Sequence, residues 1–205
     1  MTGHLPRRGR SDALDNRARL LEAAGAVFGE RGLDAPVRDV ARHAALSPAT
    51  LYRHFPTKQT LIAEAFAERR RACQGAVRDA LGDADPWRGF RVLIERLCEL
   101  HAHSRGFADA FMTANPEVMD FAADRERTLR AVTELARRAQ AAGRLRPGFV
   151  VDDLVLMLTA HQGLLHAPRS ARLAASRRFA AYVIAAFSAV PDTRVPLPEG
   201  APSRP

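Results

Sequence analysis

The amino-acid sequence predicts an all-α protein, in which an N-terminal three-helix helix-turn-helix unit is followed by a larger helical domain. Three observations lead there. Apolar residues recur three and four positions apart through most of the chain, the spacing of one helix face and not the alternation of a strand. Helix punctuation falls between these periodic segments, at Gly32, Ser47-Pro48, Thr57, Gly82-Asp83-Ala84-Asp85-Pro86, Asn115-Pro116 and Gly143. Two segments near the N-terminus are only about two turns long and are joined by a brief turn, as in a helix-turn-helix.

Taken in order, Leu20, Ala24, Val27 and Phe28 share one face of a first helix that begins near Arg17 and that Gly32 ends. A short second helix carries Val37, Val40, Ala41 and Ala44, with Pro36 at its start, where a missing N–H costs nothing. Ser47 supplies a capping hydroxyl and Pro48 a first-turn proline for a third helix running to Phe55. Thr57 caps a long fourth helix, with Leu61, Ala65, Ala72 and Ala76 on one side, widened by Ile62, Phe66, Cys73 and Val77. Phe90, Leu93, Ile94 and Leu97 define a fifth, which Ser104-Arg105-Gly106 closes, and a short sixth covers 107–114. A seventh, over about 117–142, places Val118, Phe121, Ala122, Leu129, Val132 and Ala136 on one face. The eighth, over 149–165, is apolar nearly all round, which implies burial on more than one side. Phe179, Val183, Ala186, Phe187 and Val190 form the stripe of a ninth. Helices at about 150–166 and 174–190 have more apolar surface than their own domain needs, which predicts a two-fold homodimer through them.

Charge and composition narrow the function. The chain of 205 residues carries 31 Lys and Arg against 23 Asp and Glu, a net +8 that suits an anionic partner such as nucleic acid. Part of the arginine excess fits a GC-rich coding sequence, so placement matters more than the total. Cys73 and Cys98 stand in no CxxC or His-rich context, which argues against a disulfide framework or zinc site and for a reducing compartment. No run approaches 18 apolar residues and the basic N-terminus has no apolar core after it, so a cytoplasmic protein without membrane span or signal peptide is expected. No nucleophile, metal set or paired catalytic carboxylates fall on inward faces, so no enzyme and no cofactor is expected.

A helix entering the major groove needs an exposed N-terminal end, short polar side chains and flanking groups that hold phosphates. Ser47, Ala49, Thr50 and Arg53 lie away from Leu51 and Phe55, which must pack inward, and Arg53 can reach a guanine edge or a phosphate. Lys58 is the single lysine of the chain and follows the cap of the fourth helix. A cation there disfavours the isolated helix by roughly 0.3–1 kcal/mol, so the position makes better sense with a phosphate shared between the ammonium and the helix N–H groups.

The span 17–66, above all ALSPATLYRHFPTKQTL, resembles the N-terminal DNA-binding domain of the tetracycline-repressor (TetR) family of bacterial regulators. The resemblance implies that Tyr52 and His54 position the DNA backbone and that Arg38 touches a base or phosphate. Ala45 stands where the family usually has glycine; a left-handed conformation there costs roughly 1–2 kcal/mol. The resemblance further implies that the later helices enclose a small-molecule pocket whose occupation moves the fourth helix and changes the spacing of two recognition helices.

For that unknown effector the candidates are polar or adaptable residues on faces that should be buried. Arg125 falls in the middle of the seventh stripe and Arg69 within the fourth; each must be paired, with a protein carboxylate or with an acidic ligand. His101 and His161 are read as buried histidines satisfied by a backbone carbonyl or as ligand contacts. His101 and His103, two apart on a helix, point in different directions and do not suggest a metal. Phe107, Phe111, Met112 and Met157 either line a cavity or fill the core.

The expected organisation is a disordered basic arm at 1–15, with Arg7, Arg8 and Arg10 able to enter a minor groove or merely solvated, a DNA-binding domain at 16–60, an effector-binding and dimerisation domain at 61–190, and a disordered tail at 191–205. The expected function is a homodimeric repressor that a small molecule releases from a pseudo-palindromic double-stranded operator, with half-sites about one helical turn, some 34–36 Å, apart. The alternative keeps the DNA-binding regulator without a ligand, or makes it an activator.

Overall fold

The computed structural model describes the backbone of residues 7–112 and 119–190, and the side chains of these residues outside 7–12, 111–122 and 169. The helices are α1 (Arg7–Arg31), α2 (Val37–His43), α3 (Pro48–His54), α4 (Lys58–Ala65), α5 (Ala67–Gly82), α6 (Pro86–Ala102), α7 (Arg105–Met112), α8 (Met119–Ala141), α9 (Val151–Gln162) and α10 (Arg169–Phe187), with a 3-10 turn at Gly163–His166. Among the described residues the β-structure is an isolated antiparallel bridge between Leu145 and Ser188. The all-α expectation holds.

The first three helices and the start of the fourth close around Leu20, Ala24, Phe28, Val40, Ala41, Leu51, Phe55 and Leu61, which are fully buried. Burying a side chain such as Leu51 or Phe55 is worth about 1.5–3 kcal/mol, and these two fix the inner face of α3. The turn from α2 to α3 is a Schellman closure: Leu46 N–H donates to the Ala41 carbonyl at 2.9 Å and Ala45 N–H to the Arg42 carbonyl at 3.0 Å. Ala45 takes φ +53 to make it, so the left-handed conformation that glycine usually supplies is held here by alanine.

Several boundaries differ from the sequence expectation: α7 takes in Arg105 and Gly106, expected to close the helix before it, and α10 starts at Arg169 where about 174 was expected. α1 starts at Arg7, earlier than Arg17, so positions 7–15 continue the helix; the side chains of Arg7, Arg8 and Arg10 lie outside the described residues, as do positions 1–6 and 191–205. The expected long fourth helix is two, α4 and α5, because Phe66 leaves helical geometry (φ −104, ψ 6). Its ring is fully buried, 6.1 Å from Phe107 in an edge arrangement.

α6 is the central helix of the larger domain and packs against α5, α7, α8, α9 and α10. Asp85 caps it, accepting from Trp87 N–H at 2.9 Å and Arg88 N–H at 3.2 Å. Phe90 of α6 meets Phe149 at 5.2 Å and Phe187 at 6.3 Å, both edge to face, and stacks on Trp87 at 5.9 Å. Arg138 reaches from α8 to the carbonyls of Leu81 at 2.8 Å and Asp83 at 3.1 Å, capping the end of α5.

α8 corrects the expectation for arginine. Its buried face runs through Asp124, Thr128, Val132, Leu135, Ala136 and Ala139, one position round from the stripe that placed Arg125 at its centre. Arg125 is half-buried and forms no ion pair among the described residues. The buried charge is Asp124, held by Arg127, which hydrogen-bonds Oδ1, and by Arg70, whose Nε lies 3.4 Å from Oδ2. In α5, likewise, it is Arg70 that pairs with a carboxylate, while Arg69 is half-buried and has none within ion-pair distance among the described residues. Val118, Phe121, Ala122, Phe111 and Met112 have side chains outside the described residues.

The core holds a polar chain. Ser176 Oγ donates to the Cys98 carbonyl at 2.9 Å, so its proton is spent and His161 Nε2 must donate to Ser176 Oγ, 2.6 Å away. His161 is thus neutral with its hydrogen on Nε2. His101 lies 6.2 Å from it, ring to ring, and both are fully buried. Burial pushes the His101 pKa down to about 3, helped by the facing His161, and burial pushes His161 down to about 4.

Two measurements follow from this packing. Ala45→Gly removes roughly 1–2 kcal/mol of left-handed strain against about 0.5–1 kcal/mol of added chain entropy, so urea unfolding should give a net gain of about 0–1.5 kcal/mol; a lower midpoint contradicts it. For the histidines, the unfolded rings take up protons as pH falls through about 6.5 while the folded rings stay neutral to about 4 and about 3. Their contribution is therefore complete above pH 6.5 and is lost below it, by about 1.4 kcal/mol per pH unit per ring. His101→Leu should make the decline in stability between pH 6 and about 4.5 shallower by about one proton's slope.

Candidate nucleic-acid interface

The groups expected to meet DNA lie on the outer sides of α2, α3 and the start of α4. Ser47 caps α3: its Oγ accepts from Thr50 N–H at 3.1 Å and shares a hydrogen bond with Thr50 Oγ1 at 2.9 Å. Those two hydroxyls are thereby held together at the exposed N-terminal end of the helix. Pro48, Ala49 and Arg53 are exposed and Tyr52 is 52 % exposed, while Leu51 and Phe55 on the opposite side are fully buried. One helix thus presents small and polar groups outward because its two large apolar residues are anchored inward. Arg53 lies along its own helix, Nε donating to the Ala49 carbonyl at 3.4 Å, with its terminal nitrogens available to a base edge or phosphate. His54 is half-buried, its ring 6.4 Å from that of Phe55.

Thr57 and Thr60 form a reciprocal capping box at the start of α4, with Thr57 Oγ1 accepting from Thr60 N–H at 3.1 Å and Thr60 Oγ1 from Thr57 N–H at 3.3 Å. Lys58 is the first residue of that helix, and its ammonium lies 5.7 Å from the centroid of the buried Phe28 ring. The lysine therefore rests on the domain's own core at the helix end where a phosphate would be shared. Arg38 is exposed, one residue into α2.

Sequence reasoning missed the group that sets this surface. Asp39 is buried, and its carboxylate accepts from Arg31 at 2.6 Å and Arg42 at 3.0 Å. The Arg31 hydrogen bond holds its pKa below the usual carboxylate range. It clamps the end of α1 to α2; the i,i+3 spacing of Asp39 and Arg42 signals half of it, but the contact with Arg31 depends on the tertiary fold. Arg19 adds a second clamp, donating to the Ala44 carbonyl at 2.6 Å beside the strained turn.

The effector candidates divide. His101, Phe107, Met157 and His161 come together in the core: Phe107 lies 6.0 Å from His101, and Met157 Sδ is 3.9 Å from Cys98 Sγ. All four are buried, which is the core-filling arrangement. Arg69 and Arg125 stand apart from them. A cleft of about 440 Å³ lies between α5 and α8, with Val77, Leu81 and Ala131 as apolar lining and Gln74, Arg78 and Asp124 as polar groups; it contains none of the predicted effector residues.

Comparison with known proteins follows this geometry. Residues 20–65 match the model for bacterial regulatory proteins of the tetR family, and residues 85–183 match that for the C-terminal domain of SbtR-like transcriptional regulators. The HTH-type transcriptional repressor KstR2 of Mycobacterium tuberculosis is 47% identical over 49 residues, covering 23% of this chain and 24% of the relative. The HTH-type transcriptional regulator UidR of Escherichia coli is 40% identical over 53 residues, 25% of this chain and 27% of the relative. The match thus spans about a quarter of the length of these curated relatives. Among solved structures, a TetR transcriptional regulator of Streptomyces coelicolor is 28% identical with a TM-score of 0.52, covering 84% of this chain and 98% of that one. The structure of KstR2 superposes with a TM-score of 0.67 at 20% identity, over 91% of this chain and 98% of that one, a likeness of fold. With one family model over the DNA-binding unit and a second over the helical domain behind it, the chain belongs to the TetR family of bacterial transcriptional regulators.

Proposed function

We propose that the protein is a homodimeric repressor that grips a pseudo-palindromic operator with two copies of α3 and is released by a small molecule bound in the helical domain. The observation that carries the reading is the outward face of α3, where Ser47, Ala49, Tyr52 and Arg53 are exposed over a fully buried Leu51 and Phe55. Arg38 and Lys58 flank it as phosphate-positioning cations, and Tyr52 and His54 offer a hydroxyl and an imidazole to the backbone.

Dimerisation is supported by α9 and α10. α9 buries Leu154, Met157, Leu158 and His161 but leaves Leu156 68% exposed, and α10 leaves Tyr182 47% exposed. Apolar groups of that size facing outward on adjacent helices are what a second copy would cover. Ligand response is supported by the α5–α8 cleft, because α5 continues from α4 across the Phe66 kink, and α4 begins at the DNA-facing Lys58. A molecule wedged there would bias α5 and with it the set of the helix-turn-helix unit.

Binding to the protein's own promoter region, measured by gel shift across salt concentrations, tests the reading: a sequence-specific shift with a steep salt slope is expected, and none rejects it. In fluorescence anisotropy, Lys58→Ala should weaken all DNA sequences nearly uniformly and lower the salt slope by about one, whereas Arg53→Ala should relax sequence preference at a cost of about 1–3 kcal/mol on the preferred site. For the dimer, Leu156→Glu should shift the mass seen by light scattering from two copies to one and weaken operator binding; a dimer of unchanged stability would move the interface elsewhere.

A further inference from the structure

A second cleft, of about 320 Å³, lies where the helix-turn-helix unit meets the larger domain. Its floor is α1 at Gly25 and Gly29; a Cβ at Gly25 would meet only open space. Its walls carry Arg69 of α5, His103 at the end of α6 and Arg172 of α10, with Glu22 and Glu30 of α1 beside them.

Arg69 and Arg172 are each held by their own surroundings and, among the described residues, lack an ionic partner. The Arg69 guanidinium lies 6.0 Å from the Phe66 ring centroid. Arg172 Nε donates to the Ala167 carbonyl at 2.9 Å, which leaves its terminal nitrogens for another acceptor. Both are half-buried, and neither forms an ion pair among the described residues, although Glu22 and Glu30 of α1 line the same cleft. Two arginines thus line one concavity, and their planar forks suit carboxylate or phosphate oxygens.

We propose that this junction cleft binds a compact dianion, a dicarboxylate or a phosphate monoester, with Arg69 and Arg172 as its anchors and His103 as a third donor. The Glu22 and Glu30 carboxylates offset the two guanidinium charges in number, so a polyanion is disfavoured and a ligand small enough to sit against the arginines alone is selected. They also give the site an output. An anion held by α5 and α10 repels the two carboxylates of α1, shifts the helix-turn-helix unit and weakens operator binding. That output rests on the DNA-binding reading; the site itself does not.

The test uses the full chain in two arms. Without DNA, calorimetric titration with succinate and with inorganic phosphate, at constant ionic strength and with acetate as the singly charged control, should give saturable binding to at least one dianion and none to acetate. Arg69→Gln and Arg172→Gln should each weaken that binding about tenfold or more, while Arg137→Gln, which lines neither cleft, should not. Melting curves identify any variant that fails to fold, and the other variant then decides. No binding of either dianion by the wild type, or equal binding by the folded variants, overturns the site. In the second arm, the dianion that binds should lower operator affinity several-fold in the wild type and leave Arg172→Gln unaffected. An unchanged operator affinity overturns the output, and a protein that binds the dianion but no DNA overturns the functional reading and leaves the site standing.

Discussion

The two parts of the chain are joined at a point where no side chain fits. A Cβ on Gly106 would stand 2.4 Å from the Phe28 carbonyl and 3.1 Å from the Phe66 ring, so only glycine lets the start of α7 press against the end of α1. That contact carries the relation between the domains. α1 ends beside it at Gly32, in a left-handed conformation with φ +80, where a Cβ would also stand 2.8 Å from an Asp109 oxygen. The Phe66 ring fills the space beneath, which is why α4 and α5 bend there instead of forming one straight helix. A movement of α7 therefore reaches α1 through backbone contact, and one at the α4–α5 bend reaches Gly106 through the Phe66 ring.

The helix-turn-helix unit is rigid for related reasons. Its outer face is made of short polar groups that tie to one another, Ser47 to Thr50 and Thr57 to Thr60, so the face is ordered before DNA arrives. Beneath it, Asp39 pairs with both Arg31 and Arg42 and holds α1 to α2. The left-handed alanine at position 45 is the one place where local preference is overruled, and the Schellman bonds and the Arg19 clamp around it supply the compensation.

In the larger domain, several polar groups in the core are tied into the fold, while Arg91 Nε and His161 Nδ1 are buried without a hydrogen bond among the described residues. Ser176 links His161 of α9 to the Cys98 carbonyl of α6, and Asp124 is bracketed by Arg70 and Arg127. Buried groups bonded in this way hold helices in register. The open polar chemistry lies instead in two clefts, one between α5 and α8 and one at the junction with α1, and both border α5. Burial likewise pushes the Cys73 and Cys98 thiols up to about 12, so both are inert as nucleophiles at neutral pH.

Periodicity and capping residues by themselves determined the helical class, the helix-turn-helix spacing and the inward side of α3. Those properties are local: Leu51 and Phe55 share a face because of helix geometry, and Ser47-Pro48 starts a helix wherever it sits. The exposure of Leu156 and Tyr182 fits the apolar excess legible in the last helices. Tertiary structure decided what local pattern leaves degenerate. Asp124 faces the core and Arg125 does not, because one position turns a side chain by about 100° and only the neighbouring helix, with Arg70, shows which acceptor or donor is matched. It also decided that Arg69, Arg172 and His103, far apart in sequence, share one cleft, since helix packing and not spacing brings α5, α6 and α10 to the same end of α1.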